Sequence, residues 1–190
     1  MTGVQTCALP ISIKSRIPFL HFFDGFRSSH EIQKVEALTI EELANLVDFE
    51  AIQKFRDNAL NSEHPVTRGT AQNPDIFFQA KESINKFYEA VPDIVAGYMK
   101  EISKLTGREY HPFDYYGSKD AENIIIAMGS VTETIKEVVD YMNKKGDNTG
   151  MIGVHLYRPF SEKYFFEAMP ASVKRIAVLD RTKEPGANGE

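Results

Sequence analysis

A continuous apolar run, "NIIIAMG" (Asn123–Gly129), constrains the fold of this chain more than any other feature. Such a run, with no alternating polar residues, is typical of a strand buried on both faces of a parallel sheet. Two further apolar runs follow it, "MIGVHLY" (Met151–Tyr157) and "RIAVLD" (Arg175–Asp180), each after a stretch that can form a helix. Strands that alternate with helices predict right-handed crossovers. We therefore predict the α/β fold class, a parallel sheet with flanking helices.

The helix between the first two strands has clear start and stop signals. Ser130 and Glu133 have the spacing of a capping box, and Gly146 is a C-terminal stop. Its apolar face has five members: Val131, Ile135, Val138, Val139 and Met142. We predict that the helix spans residues 131–145 and lies on the sheet through Ile135, Val138 and Met142.

The chain before this sheet is predicted to be mostly helical. "IPFLHFF" (Ile17–Phe23) is an exception, because a short apolar and aromatic run predicts a buried strand. Ser28 and Glu31 predict a capping box for the helix "SSHEIQKVEAL", and Thr39 and Glu42 predict a second box.

Further helices and two irregular segments are predicted downstream. One helix should be capped by Asp48, one should span Asp75–Ala90, and one should run from Pro92 to a stop at Gly107. The polar segment Asn61–Pro74 predicts a long loop. The segment Arg108–Glu122 predicts an irregular linker between domains.

The opening "MTGVQTCALPIS" has the composition of neither a secretory signal nor a mitochondrial presequence. A commonly used sequencing-adapter primer, with its GTG taken as a start codon, translates to this same series of residues. We therefore expect residues 1–11 to be an adapter-derived artefact, and residues before about Ile13 to be disordered or loosely attached.

Composition excludes several classes of protein. A formal net charge of −5 and the lack of a clustered basic stripe argue against nucleic acid as a partner. No stretch approaches the roughly 20 apolar residues of a membrane span. Cys7 is the only cysteine, so these residues can form neither a disulfide framework nor a thiolate metal site. This fits a reducing compartment and a cytoplasmic location.

Two places are candidates for a binding site. Gly129–Ser130, at a strand-to-helix turn, could hold an anion on free backbone N–H groups, although a tight turn with a cap explains the pattern better. In "HFFDGFRSSHE", the candidates Asp24, Arg27 and His30 follow a predicted strand and could hold a cofactor, a carboxylate or a partner subunit. The alternative is a capped turn.

No catalytic motif is recognised from the residues alone. The five histidines have no metal-ligand spacing, and no Gly-x-Ser-x-Gly elbow, P-loop or His-Glu-x-x-His occurs. We therefore predict no metal site and no catalytic residue in this chain.

Five segments together resemble one family: "PFLHFFDGFRSSHEIQK", "HPVTRGTAQNPDIFFQ", "FDYYGSKDAENIIIAMGS", "LYRPF" and "VLDRTKEPGA". In order, they are similar to the pyruvate:ferredoxin (flavodoxin) oxidoreductases. The resemblance implies a long enzyme with thiamine diphosphate, Mg²⁺ and [4Fe–4S] clusters. Such an enzyme oxidatively decarboxylates pyruvate, forms acetyl-CoA from coenzyme A and reduces ferredoxin or flavodoxin, and a homodimer is expected.

The resemblance also implies a domain organisation. Residues 12–111 correspond to the C-terminal part of a thiamine pyrimidine-binding-type domain, and residues 112–190 to a transketolase C-terminal-like α/β domain. The family's activating glutamate, its diphosphate–magnesium motif and its cluster cysteines fall outside this chain. The chain is therefore expected to be a fragment, truncated at both ends and inactive alone.

Two other functions remain open from the sequence. The chain could be a non-catalytic α/β interaction domain that holds subunits or neighbouring domains together. It could also belong to the β subunit of an NAD-linked 2-oxo acid dehydrogenase.

Overall fold

The structure, a computed structural model, describes residues 2–32, 34, 37–66, 71–180 and 185–186, with side chains omitted for 2–7 and 27–28. The chain forms two compact units. The α/β unit contains Phe22–Lys34 and Arg108–Glu190. The helical unit contains Thr2–His21 and Val35–Gly107. None of the helices in the described residues is long and apolar enough to cross a membrane.

The elements follow one another in a mostly helical first half and an alternating second half. The helices are α1 (Thr2–Ser15), α2 (Arg27–His30), α3 (Ile40–Asn45), α4 (Phe49–Asp57), α5 (Pro74–Glu82), α6 (Asn85–Thr106), α7 (Val131–Lys144) and α8 (Glu162–Ala168). The strands are β1 (Phe113–Gly117), β2 (Asn123–Ala127), β3 (Thr149–Val154) and β4 (Arg175–Val178).

The predicted parallel sheet is confirmed at its centre and extended at one edge. The strand order is β1-β3-β2-β4, and β2 runs parallel to both β3 and β4. However, β1 pairs antiparallel with β3, so the sheet is mixed. The prediction that Arg108–Glu122 is irregular is therefore wrong for Phe113–Gly117. This "FDYYG" segment adds an edge strand, as is common in otherwise parallel sheets.

One face of the sheet packs against α7. Ala127, Ile135, Val139 and Met151 form a buried cluster between them. Ile135 was predicted correctly, but Val138 is 43% exposed whereas Val139 is fully buried. Val138 and Val139 lie about 100° apart around the helix. Val139, four positions after Ile135, faces the sheet, and Val138 does not.

The opposite face packs against α8. Phe113, Ala121, Ile124 and Ile152 form its buried cluster, which the aromatic rings of α8 help to cover. The Phe165 ring meets that of Phe113 edge-on, with centroids 5.5 Å apart. Both faces of β2 and β3 are thus covered, as their apolar composition predicted.

The strand β4 differs from the other parallel strands. All four of its residues are exposed, including Ile176 and Val178. The predicted strand over Arg175–Asp180 is confirmed in position but is shorter, and its apolar side chains lack the cover that β2 and β3 have in the described residues.

In the helical unit, α6 supplies a row of four buried residues: Val91, Val95, Met99 and Ile102. It ends where predicted, at Gly107, whose φ of 68° is left-handed. Its predicted start is wrong, because Pro92 lies inside α6 and the break falls at Ser83–Ile84, between α5 and α6. Pro92 is therefore an interior residue of α6, where proline has no N–H to donate to the carbonyl four positions earlier.

The first residues are helical, so the prediction that they are disordered or loosely attached is wrong. Helix α1 packs on α6, and Ile11 and Ser15 are buried. These two residues lie four positions apart and therefore share one helix face. The adapter origin of residues 1–11 remains a hypothesis, which the genomic sequence at this point of the gene would test.

Two other predictions for the first half fail. Residues 17–23 form no strand, and Leu20, Phe22 and Phe23 are exposed. The helix predicted from Ser28 is only the four-residue α2, in which Ser28 is an internal residue rather than a cap. Positions 33, 35 and 36 of that predicted helix lie outside the described residues.

Local capping signals are confirmed in the helical unit. The Thr39 hydroxyl accepts from the Glu42 N–H at 3.2 Å, and the Glu42 carboxylate accepts from the Thr39 N–H at 2.7 Å. The Thr39 N–H and the Thr39 hydroxyl both donate to the Glu42 carboxylate, and they lower the pKa of this carboxyl. Asp48 caps α4 by accepting from the Ala51 N–H at 2.9 Å. The third predicted box, at Ser130, does not form.

Candidate functional site

The carboxyl end of β2 leads directly into the N-terminus of α7. Gly129 makes this turn with a φ of 83°, a left-handed conformation that favours glycine. The first N–H groups of a helix attract negative charge, although here the Thr132 and Glu133 N–H groups already donate to the Gly129 and Ser130 carbonyl oxygens at 3.2 Å. The sequence predicted a possible anion site here.

The anion at this turn is a carboxylate of the chain itself. Asp24 accepts a hydrogen bond from the Ser130 N–H, and a Cβ built on Gly129 would lie 2.7 Å from the Asp24 Oδ2 atom. The structure therefore joins two candidates, Asp24 and Gly129–Ser130, that the sequence treated separately. The capping box at Ser130 is replaced by a cap from a distant segment.

The other two candidates are not brought to this turn by any described contact. The His30 ring lies over its own turn, with Nδ1 2.6 Å from the Phe26 carbonyl oxygen, and is exposed. The Arg27 side chain lies outside the described atoms, although its backbone begins α2.

A second polar pair lies at the same edge of the sheet. Asp114 in β1 is the register partner of Gly153 in β3, so it sits near His155, just beyond the end of β3. The Asp114 Oδ2 and His155 Nδ1 atoms are 3.4 Å apart, and that nitrogen is 3.0 Å from the His111 carbonyl oxygen. Sequence reasoning missed Asp114, because its strand was taken for a linker.

Burial is the main influence on the Asp114 carboxyl, and it raises the pKa. The nearby His155 and His111 rings act in the opposite direction but do not cancel the effect of burial. The charged carboxylate is therefore disfavoured in the folded state relative to the unfolded chain. No nucleophile is described beside the pair.

We expect Asp114→Asn to leave this chain at least as stable as the unmodified chain at pH 7. A raised folded-state pKa means that folding binds a proton, so stability falls as pH rises from the ordinary value of 3.8 through the raised value. Asparagine removes that loss. Urea midpoints between about pH 3 and pH 7 measure the effect, with the exposed Asp120→Asn as control. A lower midpoint for Asp114→Asn at pH 7 would show that the charged carboxylate stabilises the fold.

The helical unit has a cavity of about 870 Å³. Four acidic residues line it, Glu42, Asp48, Asp93 and Glu101, with two basic ones, Lys14 and Lys104. One of these lysines is engaged already, because Lys104 pairs with Glu101 at 2.8 Å. The lining thus carries an excess of negative charge. Within the described part of the chain, no group of three or more His, Cys, Asp or Glu could hold a metal ion.

Comparison with known proteins assigns both halves of the chain to one class, the thiamine-dependent 2-oxo acid oxidoreductases. Residues 4–100 match the family model described as pyruvate flavodoxin/ferredoxin oxidoreductase, thiamine diphosphate-binding. Residues 121–190 match the model of pyruvate:ferredoxin oxidoreductase core domain II. The chain belongs to the pyruvate flavodoxin/ferredoxin oxidoreductase family.

Curated relatives are similar over nearly the whole chain. The pyruvate-flavodoxin oxidoreductase of Enterobacter agglomerans is 63% identical over 179 residues, which is 94% of this chain. The corresponding values are 62% for the Klebsiella pneumoniae protein and 58% for the pyruvate:ferredoxin oxidoreductase of Moorella thermoacetica, each over 94% of this chain. The chain spans about 15% of the length of each of these relatives.

A solved structure, a 2-oxoglutarate:ferredoxin oxidoreductase from Magnetococcus marinus, is similar with a TM-score of 0.34 and 18% identity. The similarity covers 61% of this chain and 18% of that chain. A score this low carries no weight for the fold, which rests on the strand pairing described above.

Two places described above, the α7 turn and the cavity of the helical unit, do not fit the diphosphate of thiamine diphosphate. A diphosphate needs free amides or basic side chains. The amide of Ser130 at α7 already binds the Asp24 carboxylate, which would repel a second anion. The cavity of the helical unit carries excess negative charge. Neither place can bind the diphosphate by itself.

Proposed function

We propose that this chain is part of an enzyme that oxidatively decarboxylates pyruvate to acetyl-CoA and reduces ferredoxin or flavodoxin. The observation that carries the proposal is the order of the two family matches, the thiamine-binding region followed by core domain II. Identities of 58–63% to curated enzymes of this name support it.

Within such an enzyme, this chain contributes architecture rather than chemistry. The described sites offer a helix N-terminus already capped by the Asp24 carboxylate and a carboxylate–imidazole pair with no nucleophile described beside it. We therefore place the catalytic residues elsewhere in the enzyme and expect this chain alone to be inactive.

We also propose a domain boundary near residue 111, between a thiamine pyrimidine-binding-type domain (12–111) and a transketolase C-terminal-like domain (112–190). The family matches support it, because they end at residue 100 and resume at residue 121. The two compact units of the structure, which meet in sequence between Gly107 and Arg108, support the boundary as well. Asp24 and its neighbours precede this boundary in sequence but belong to the α/β unit.

The proposal includes the cofactors and partners of the whole enzyme. Thiamine diphosphate and Mg²⁺ are proposed for the whole enzyme, where the bound cofactor would supply the chemistry of decarboxylation. The [4Fe–4S] clusters need cysteine ligands from other parts of the enzyme, because this chain has only Cys7. We propose a homodimer that uses coenzyme A. A cytoplasmic location would keep such thiols reduced.

The genomic sequence around this chain tests the proposal. We expect the reading frame to continue past Glu190 into Cys-x-x-Cys-x-x-Cys cluster motifs and a later Gly-Asp-Gly thiamine motif. A reading frame that ends soon after Glu190, without either motif, would favour a separate interaction domain or a dehydrogenase subunit.

Arg27 is proposed to meet a carboxylate of a neighbouring domain or subunit. If that carboxylate is buried on assembly, Arg27→Ala should weaken assembly by a few kcal/mol, because an uncompensated charge remains. Arg27→Lys should restore little, since lysine lacks the planar fork. Pyruvate oxidation and oligomer mass of the full-length enzyme measure both effects. Unchanged values for Arg27→Ala would leave this arginine as a solvated residue of α2.

A further inference from the structure

The N-terminus of α7 is capped by a residue from far upstream. The Asp24 carboxylate accepts from the Ser130 N–H across 106 positions of the sequence. Helices are usually capped by a side chain at the residue just before them. Ser130 occupies that position but makes no side-chain cap; its own N–H donates to Asp24, as it would to the N3 glutamate of a capping box.

Gly129 is shaped to admit that carboxylate. Its φ of 83° already favours glycine, and a Cβ at this position would lie within 2.7–3.3 Å of three atoms of the Asp24 carboxylate. Real Cβ atoms almost never approach other atoms at the lower end of that range. The turn and its occupant are therefore matched in shape as well as in charge.

The segment that carries Asp24 is held by its own hydrogen bonds. Phe26 has a φ of 53°, and its carbonyl oxygen accepts from the His30 N–H at 3.1 Å and from the Ser29 hydroxyl at 2.8 Å. These bonds stabilise the turn at residues 26–30. The bond from Ser130 to Asp24, in contrast, joins the turn to α7.

The two partners belong to different parts of the family. Asp24 lies in the region that matches the thiamine-binding model, and Ser130 lies in the region that matches core domain II. We propose that the hydrogen bond from Ser130 to Asp24 holds the segment Phe22–His30 of the first region in place against α7 of the second. We call this contact the pin. This role is structural positioning, and it does not depend on the reaction proposed above.

Hydrogen exchange in the full-length enzyme tests the pin. In Asp24→Ala, the amides of residues 130–132 and of segment 22–30 should exchange about tenfold faster, the usual consequence of losing a helix cap. Asp24→Asn should lie between Asp24→Ala and the unmodified enzyme, because its amide oxygen still accepts a hydrogen bond. The control is Glu133→Gln, whose carboxylate pairs with Lys136 rather than with the turn. It should change neither segment.

A double-mutant cycle separates the effect of the pin from the effect of backbone strain at Gly129. Gly129→Ala should speed exchange in both segments, because the new Cβ displaces the Asp24 carboxylate. In the Asp24→Ala background the same change should have a smaller effect, since only the backbone strain remains. Amides of α6 serve as an internal reference; if they too change in Asp24→Ala, the cycle is run with Asp24→Asn. Unchanged exchange in segment 22–30 for either Asp24 variant, or equal effects of Gly129→Ala in both backgrounds, would overturn the proposal.

Discussion

Replacement of Gly117 by alanine is expected to destabilise the α/β unit by roughly 3–5 kcal/mol, the sum of backbone strain and overpacking. Gly117 ends β1 with a φ of 126°, which side-chain-bearing residues rarely adopt. A Cβ there would lie 2.6 Å from the Thr149 carbonyl oxygen, 2.7 Å from the Gly150 Cα and 3.0 Å from a Val139 methyl group. Two of these neighbours are backbone atoms of β3 and cannot rotate away.

Hydrogen exchange of the β3 amides in this chain measures the loss, since it reports the stability of the sheet separately from that of the helical unit. The matched control is Gly97→Ala in α6, where a Cβ would meet nothing within 4 Å. Alanine at a helical position should stabilise by about 0.5–1 kcal/mol. Protection of β3 that is unchanged in Gly117→Ala would show that β1 is not paired as described.

Truncation of Ile152 should have the second large effect. Ile152 is in β3, is fully buried, and packs with Phe113, Ala121 and Ile124 beneath α8. Ile152→Ala should cost about 2–5 kcal/mol, because it removes buried methyl groups and leaves a cavity. Ile152→Val should cost only about 0.5–1.5 kcal/mol. Urea unfolding of this chain compares the two, and equal costs would mean that the site is not closely packed.

The central strands could be predicted because their cause is local. A run such as Asn123–Ala127 has no polar face, so a position between two layers is the arrangement that buries it. The edge strand β1 was harder to predict. In Phe113–Gly117 only the first residue is buried and the next three are half-buried, so the segment has no clear apolar face, and only its pairing with β3 makes it a strand. The run at residues 17–23 lacks such a partner and forms no strand.

Caps show the same division between local and distant causes. The box of Thr39 and Glu42 forms because both partners lie within three residues and need only each other. Ser130 and Glu133 have the same spacing, yet Asp24 takes the Ser130 N–H and Lys136 takes the Glu133 carboxylate. No pattern within one segment could reveal a partner 106 positions away.

The candidate site could be predicted only in part, because the residues that meet there come from segments far apart in the sequence. The sequence placed Asp24 and Gly129–Ser130 at strand ends, where ligands often bind in α/β sheets. The sequence could not show that the Asp24 carboxylate would occupy the turn at Gly129–Ser130. The pair of Asp114 and His155 depends on the register between β1 and β3, which no local pattern contains.

The central claim is that this chain belongs to an enzyme that passes electrons from pyruvate to ferredoxin or flavodoxin. The most direct test uses the purified full-length enzyme with oxidised flavodoxin or ferredoxin, and follows reduction of the acceptor. We predict reduction that requires both pyruvate and coenzyme A, yields acetyl-CoA, and is lost when thiamine diphosphate is removed. Failure to reduce either acceptor, together with pyruvate-dependent reduction of NAD through lipoyl and flavin partners, would contradict the claim.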